Sequence, residues 1–294
     1  MYMRFRVLAV FGLLAATVPC LASSNSGISY DSNGFNPRML DASAPQAERM
    51  QLFAHVVQLG VHGEVPALDL AGTMYWQGAN IQGSPVKTDL AQARKLLAYA
   101  AVHGDVLAMA KLGELNLAAK QPQKAMIWAQ LYAHYLDPTR HARGFHGRMY
   151  AYASDLMQRT MHAGGKVDDS VRTDVGNMIA KYDSSIRAGI DAFMEQRRSG
   201  KTHLVVHYMG HFNGEKVNQN DVADYMVAFN PDGSIKKVWT LASWPNTHFA
   251  ATTRTWLDHA RANPAPASSG TRYLEIPIVY NSYKTRSLRV SHSN

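Results

Sequence analysis

Small residues recur at a fixed interval in the first half of this chain, and the recurrence limits the folds open to it. The interval is 41 residues, and the matching positions are Gly63 with Gly104, Ala67 with Ala108, Ala71 with Leu112, and Gly72 with Gly113. Alanine and glycine at recurring positions let neighbouring helix backbones approach closely. A single helix pair has too little core of its own, so such units stack on one another. The recurrence predicts an array of antiparallel helix pairs.

Helical periodicity extends through this repeat and beyond it. Apolar residues recur at a spacing of three to four from about residue 47 to about residue 136, with small residues along the buried stripe. Two further apolar stripes between residues 145 and 198 predict two helices that extend or cap the array. We therefore expect residues 46–200 to form a helical domain.

The repeat resembles the Sel-one-like family, a relative of the tetratricopeptide repeats. The residues that carry the resemblance are Ala67, Ala71, Gly72, Tyr75, Gly78, Val86, Asp89, Ala93, Ala100, Ala101 and Gly104, with Ala108, Leu112 and Gly113 opening the next unit. The turn from Asn80 to Pro85 is longer than the family's, and Asn116 occupies the position of a tyrosine. The resemblance covers residues 47–136 and implies a scaffold that binds other proteins.

Apolar and polar residues alternate with a period of two after Thr202, which is typical of strands. Strands are predicted at residues 203–208, 224–229, 234–242 and 273–280, with a helix at residues 249–262. The turn sequence from Asn230 to Gly233 predicts a hairpin, because proline presets one dihedral angle and glycine accepts a positive φ. Pro277 has no N–H, so its strand should lie at a sheet edge. The predicted fold class is α+β, a helical repeat array followed by a small ββαβ domain over residues 201–294.

The order of elements in this second part resembles the C-terminal domain of TonB-family proteins. The resemblance rests on Asn230, Pro231, Asp232, Gly233, Val238, Ser243, Trp256, Leu257, Gly270 and the run from Ile276 to Tyr280. It implies binding in the periplasm, with an extended segment of a partner adding as a strand to the sheet edge formed by Tyr273 to Tyr280.

Residues 1–22 have the features of a secretory signal peptide. Arg4 and Arg6 precede an uncharged stretch of about 12 residues, which is shorter than the roughly 20 needed for a membrane-spanning helix. Cleavage after Ala22 would yield a periplasmic protein without cysteine, because Cys20 is the only cysteine. A lipoprotein acylated at Cys20 and an uncleaved membrane anchor are the alternatives. Residues 23–45, rich in Ser, Asn and Gly, are expected to form a flexible leader.

Histidines provide the strongest candidate for metal chemistry in the sequence. His203, His207 and His211 follow one another in steps of four. In a strand, a step of four separates side chains by about 13 Å, too far for one ion, which favours a solvated polar face. Zinc or copper binding, and with it a metal-dependent envelope enzyme, is the alternative. The sequence also carries neither a serine-nucleophile elbow nor a phosphate-binding glycine loop, so we expect a protein that is not an enzyme and needs no cofactor.

The expected partner is an envelope protein or peptide. The candidate partner-binding residues are aromatic positions of the array and positions on the last strand: Tyr75, Trp76, Trp128, Tyr132, Tyr273, Glu275 and Val279. The formal charge of +8 falls to +6 without Arg4 and Arg6, so peptidoglycan or an anionic membrane surface is a second possible partner. Nucleic acid is not expected, because export separates the protein from it and no long run of basic residues occurs.

Overall fold

The protein combines helices with a small antiparallel sheet. A computed structural model describes residues 34–136, 145–198, 220–258, 260–266 and 270–280. Within these residues, seven α-helices precede the first strand, and an eighth lies between the second and third strands. The helices α1 to α7 span Gln46–Val61, Val65–Gln77, Leu90–Val102, Val106–Ala118, Pro122–Leu136, Phe145–His162 and Asp169–Arg198. They are followed by β1 (Asp221–Phe229), β2 (Ile235–Trp244), α8 (Phe249–Leu257) and β3 (Arg272–Tyr280).

Side-chain caps and left-handed glycines set the ends of the repeated helices. The Asp89 carboxylate accepts hydrogen bonds from the backbone N–H groups of Ala91 and Gln92 at the start of α3. Asp105 accepts one from Ala108 at the start of α4. Gly63 and Gly104 follow α1 and α3 with φ values of 111° and 98°, a conformation that glycine adopts at the lowest cost.

Consecutive helices from α1 to α6 pack against their chain neighbours, and α7 lies against α3 and α5. The recurring glycines lie at close approaches between helices. A Cβ on Gly72 would lie 2.7 Å from the Leu97 side chain, and one on Gly113 would lie 2.9 Å from the Leu156 side chain. A Cβ on Gly104 would lie 2.6 Å from the backbone nitrogen of Ile190 in α7. Larger side chains at these three positions would not fit without a shift of the neighbouring helix.

The sheet has the order β2-β1-β3, and both pairings are antiparallel. The hairpin predicted at residues 230–233 joins β1 to β2, and Pro277 lies in the outer strand β3 opposite Asp224. The central strand β1 is buried along its whole length. Val222, Met226 and Ala228 belong to the core shared with the helices, whereas Ala223, Tyr225, Val227 and Phe229 belong to a second core with α8.

Residues 34–45 are packed rather than free, which corrects the predicted flexible leader for this part of residues 23–45. They include a short 3₁₀ helix, Pro37–Leu40, and Phe35 is fully buried. The Phe35 ring lies 5.2 Å from Trp239 and 5.4 Å from Tyr273, between centroids. The segment packs against the sheet because Phe35, Met39 and Leu40 are buried there. These few apolar residues stand among polar ones, and the polar composition suggested a leader.

Helix α8 is shorter than predicted, since it ends at Leu257 instead of residue 262. Beyond the helix, the backbone N–H of Ala262 donates to the Gly233 carbonyl of the hairpin turn. The predicted strand 203–208 and the signal peptide are outside the described residues. No helix among the described residues is both long enough and apolar enough to cross a membrane.

Candidate functional site

A lysine side chain with no exposed surface lies where the helices contact the sheet. Lys111 is in α4, in a run from Ala108 to Asn116 that is buried throughout. Its ammonium forms an ion pair with Asp69 and donates to the Thr73 hydroxyl at 2.9 Å. It also lies 2.8 Å from the Asp224 carboxylate and 3.4 Å from that of Glu275. We name Asp69, Thr73, Lys111, Asp224 and Glu275 the Lys111 cluster.

The cluster joins residues that are far apart in the chain. Asp69 and Thr73 are four residues apart and so lie on one face of α2. Asp224 and Glu275 come from the neighbouring strands β1 and β3. The Lys111 ammonium also lies 5.8 Å from the ring centroid of Trp244, which is in β2. Two helices and all three described strands therefore meet at one ammonium group.

Burial and excess negative charge together control the ionisation of the cluster. Three carboxyl groups surround one ammonium, so full ionisation would leave two negative charges without a counter-ion. Burial raises the pKa of Asp69, and burial and the Asp224 charge raise the pKa of Glu275 well above its usual value. Burial alone would lower the pKa of Lys111, but the charges of Asp224, Asp69 and Glu275 outweigh it and raise that pKa. The cluster thus keeps its lysine charged and favours a proton on Glu275.

The three carboxylates lie close enough together to hold a cation. One oxygen from each of Asp69, Asp224 and Glu275 lies within 4.8 Å of the others. The Lys111 ammonium already supplies a positive charge among them. The second oxygens of Asp69 and Asp224 are buried without a hydrogen-bond partner among the described residues. This arrangement is that of a buried ion-pair network, in which removing either sign leaves uncompensated charge.

A second buried polar group continues along α4 towards α6. The Glu114 carboxylate accepts hydrogen bonds from the Tyr152 hydroxyl and from the Arg159 guanidinium, the latter at 2.5 and 3.0 Å. Arg159 also pairs with Asp155 at 2.6 Å. Asp221, at the start of β1, has a pKa raised by burial to about 6, although the hydrogen bond from the Asn246 backbone and the Arg159 charge oppose the shift. Buried polar groups therefore occur at two successive places along α4.

The Lys111 cluster is almost completely closed to solvent. Lys111 and Asp224 have no exposed side-chain surface, and only 15% of the Glu275 side chain is exposed. A nucleophile or acid–base pair must reach its substrate, which these side chains cannot do in this conformation. Their chemistry is attachment of the sheet to α2 and α4.

The predicted partner-binding residues separate into buried and partly exposed groups. Tyr132, Tyr273 and Val279 are buried, with 0%, 8% and 2% of their surface exposed. Tyr75, Trp76 and Trp128 are partly exposed. Tyr75 contacts Phe53, and Trp76 contacts Trp244 of the sheet at 5.6 Å between ring centroids. Glu275 belongs to the Lys111 cluster, and the three histidines His203, His207 and His211 lie outside the described residues.

An apolar groove with exposed methionine lies on the helical part. It has a volume of about 280 Å³ between α5, α6 and the loop that follows α6. Its lining is Met126, Gln130, Ser154, Met157, Gln158, Met161 and Val167. Half of the Met161 surface and 39% of the Val167 surface are exposed. The groove thus presents flexible apolar side chains to solvent.

The sequence contains a signal for the Lys111 cluster. Asp69 and Glu275 are single charges within apolar runs, and Lys111 and Asp224 lie in mostly apolar stretches, each three residues from one other charge. Isolated charges of opposite sign in segments predicted to be buried require one another as partners. The sequence could therefore indicate a buried ion pair, but not which residues form it.

The fold and this site define an α+β protein whose helices and sheet are joined by buried ion pairs. Comparison of the chain with protein-family models, with curated proteins and with solved structures gives no match. Functional inference therefore rests on the geometry of the molecule itself.

Proposed function

We propose that the protein is a non-catalytic adaptor of the bacterial envelope that binds another protein or peptide. In this proposal it is exported to the periplasm, and its helices form a Sel-one-like repeat array. The observation that carries the proposal is the methionine groove between α5 and α6. Methionine side chains are flexible and polarizable, so a groove lined by them accommodates apolar segments of varied shape.

A second binding surface in the proposal is the outer edge of β3. Strand β3 is the outer one of the described strands on this side of the sheet. An extended segment could pair with it through backbone hydrogen bonds. This is the mode that the resemblance to TonB C-terminal domains implies. Because Tyr273 and Val279 are buried, backbone groups rather than those side chains would make the contact.

The Lys111 cluster supports an adaptor by fixing these two surfaces relative to each other. It connects α4, the neighbour of α5, to β1 and β3. A partner that contacts both surfaces then meets them at a constant separation, which lowers the entropy cost of binding.

Site-specific photocrosslinking in cells tests the proposal. A photoreactive residue is placed at Met161 in the groove, at Leu274 in β3, or at Asp169, a control whose side chain is 99% exposed on α7. We expect a discrete crosslinked protein from Met161 or Leu274 and none from Asp169. Folded protein that yields no crosslinked partner at either test position, or the same partners at all three, would contradict the adaptor.

A maintenance factor that binds cell-wall glycan is the second candidate. A cleft with the basic side chains Lys236, Arg254 and Arg261 favours it, because acidic glycans carry the complementary charge. Salt-sensitive sedimentation with isolated sacculi is the corresponding measurement, and no co-sedimentation at low salt would eliminate this candidate.

A further inference from the structure

Basic side chains from β2 and from α8 with its following loop lie at one cleft, at the end of the sheet where the hairpin turn leads into β2. The cleft has a volume of about 350 Å³. Its lining contains Ser234, Ile235, Lys236 and Lys237 from β2 and the residue before it, and Arg254, Asp258, Ala260 and Arg261 from α8 and the following loop. Lys237 pairs with Ala228 in the sheet, so its side chain lies on the opposite face, towards the helical array. Three cations, Lys236, Arg254 and Arg261, thus share the cleft with the Asp258 carboxylate.

Two of these cations are held by neighbouring side chains. The Lys236 ammonium donates to the Thr271 hydroxyl at 2.9 Å. The Arg254 guanidinium pairs with Asp258 at 2.6 Å. Side chains that are already ordered lose less entropy when they bind an anion than free surface lysines do.

Backbone hydrogen bonds fix the loop that carries the third cation, Arg261. The N–H of Ala262 donates to the Gly233 carbonyl at 2.8 Å, and the N–H of Ala265 donates to the Pro231 carbonyl at 2.7 Å. Arg261 is therefore attached to the hairpin that begins β2. The charge of Arg261 also lowers the pKa of Asp232, after the larger effect of the hydrogen bonds from Ser234. Arg254 and Arg261 thus stay opposite Lys236 of β2.

We propose that this cleft binds a phosphate group, carried either by a lipid headgroup or by a soluble phosphate ester. Cations on two sides of the cleft can contact different oxygens of one phosphate, whereas a carboxylate offers only two oxygens. Arginine guanidinium groups pair with phosphate in a bidentate manner. The cleft volume admits a small headgroup but not a folded partner. The site is separate from the methionine groove, so it does not depend on the adaptor proposal.

The test measures binding of the purified protein to two probes. The probes are glycerol 3-phosphate, and vesicles of phosphatidylglycerol compared with vesicles of phosphatidylcholine. The cleft variant combines Lys236→Glu with Arg261→Glu. The matched control combines Lys124→Glu with Lys181→Glu, which changes the net charge equally on exposed faces of α5 and α7.

We expect the cleft variant to weaken binding of at least one phosphate probe about tenfold and the control to weaken it less than about twofold. Binding to glycerol 3-phosphate identifies a soluble ester as sufficient, whereas binding only to phosphatidylglycerol vesicles identifies a lipid headgroup. Lys236→Gln with Arg261→Gln replaces the charge-reversal variant if circular dichroism shows that the latter is unfolded. No binding to either probe, or equal losses in the cleft and control variants, would overturn the proposal.

Discussion

The two faces of strand β1 meet their neighbours in different ways. The face towards α8 is apolar from Ala223 to Phe229 apart from the Tyr225 hydroxyl, which lies 2.5 Å from both the Ala250 carbonyl oxygen and the Thr253 hydroxyl. The face towards the helical array combines apolar residues with Asp224, whose carboxylate pairs with Lys111. Apolar contact tolerates small shifts, whereas a buried ammonium among carboxylates has few acceptable positions. The first face therefore builds the sheet unit, and the second fixes where that unit attaches.

The largest expected effect comes from removing the ammonium. Lys111→Met leaves buried carboxylates without a counter-ion and should lower the free energy of unfolding by about 3–5 kcal/mol. Urea denaturation followed by circular dichroism measures this change in the free energy of unfolding. Lys95→Met, on the exposed side of α3, is the matched control and should change stability by less than about 0.5 kcal/mol.

Neutralising the carboxylates together with the lysine separates charge from packing. Lys111→Met combined with Asp69→Asn and Asp224→Asn should recover part of the stability lost in Lys111→Met, because less uncompensated charge stays buried. A triple variant less stable than the single one would contradict the role of uncompensated charge.

Truncation on the apolar face should have a somewhat smaller effect. Leu257 is fully buried between α8 and the sheet, and Leu257→Ala should cost about 3 kcal/mol through lost burial and a cavity. The cost should be the same at pH 5 and pH 8, since the described neighbours in this core are apolar. A loss that varies strongly with pH would contradict the difference between the two faces.

Buried carboxyl groups should make stability depend on pH. Burial, with the nearby charge of Asp69, raises the pKa of Asp105 to about 7, and burial raises that of Asp221 to about 6. A carboxyl whose pKa is raised by folding holds its proton more tightly in the native state, so stability falls as pH rises from about 4 to about 7. We expect unfolding at pH 8 to require about 1–2 kcal/mol less than at pH 5, allowing for partial exposure of Asp105.

Asp105→Asn tests the assignment of this pH dependence. The asparagine oxygen can still accept from the Ala108 N–H, so the helix cap is kept while the titrating group is lost. The variant should show a smaller fall between pH 5 and pH 8 than the natural protein. An unchanged fall would assign the dependence to other groups.

The smallest effect is expected for Tyr225→Phe. The hydroxyl makes two hydrogen bonds on the α8 face, so its removal should cost about 1 kcal/mol in urea denaturation. A loss as large as that of Lys111→Met would mean that both faces depend equally on polar contacts.

Local patterns predicted the elements better than their assembly. The 41-residue recurrence predicted helices whose buried small residues allow close contact, and the Asn-Pro-Asp-Gly sequence predicted the turn between β1 and β2. Periodicity describes one segment at a time, so it gave no indication that the sheet shares a core with the helices. It also missed Phe35, because a single aromatic residue in a polar segment has no period.

The candidate site was less predictable than the fold for the same reason. Asp69, Lys111, Asp224 and Glu275 form a cluster only after four elements have packed, and no spacing in the sequence links them. Aromatic residues and histidines are typical of binding and metal sites, and they are the side chains that the sequence pattern brings forward. Tyr132, among the aromatic residues, belongs instead to the buried core.

Hydrogen exchange at increasing denaturant tests most directly whether the Lys111 cluster makes the helices and the sheet one cooperative unit. Mass spectrometry follows amide protection in peptides from α2, α4 and β1 of the natural protein. The account predicts that protection in all three is lost at the same denaturant concentration. Loss of protection in β1 while α2 and α4 remain protected would contradict it.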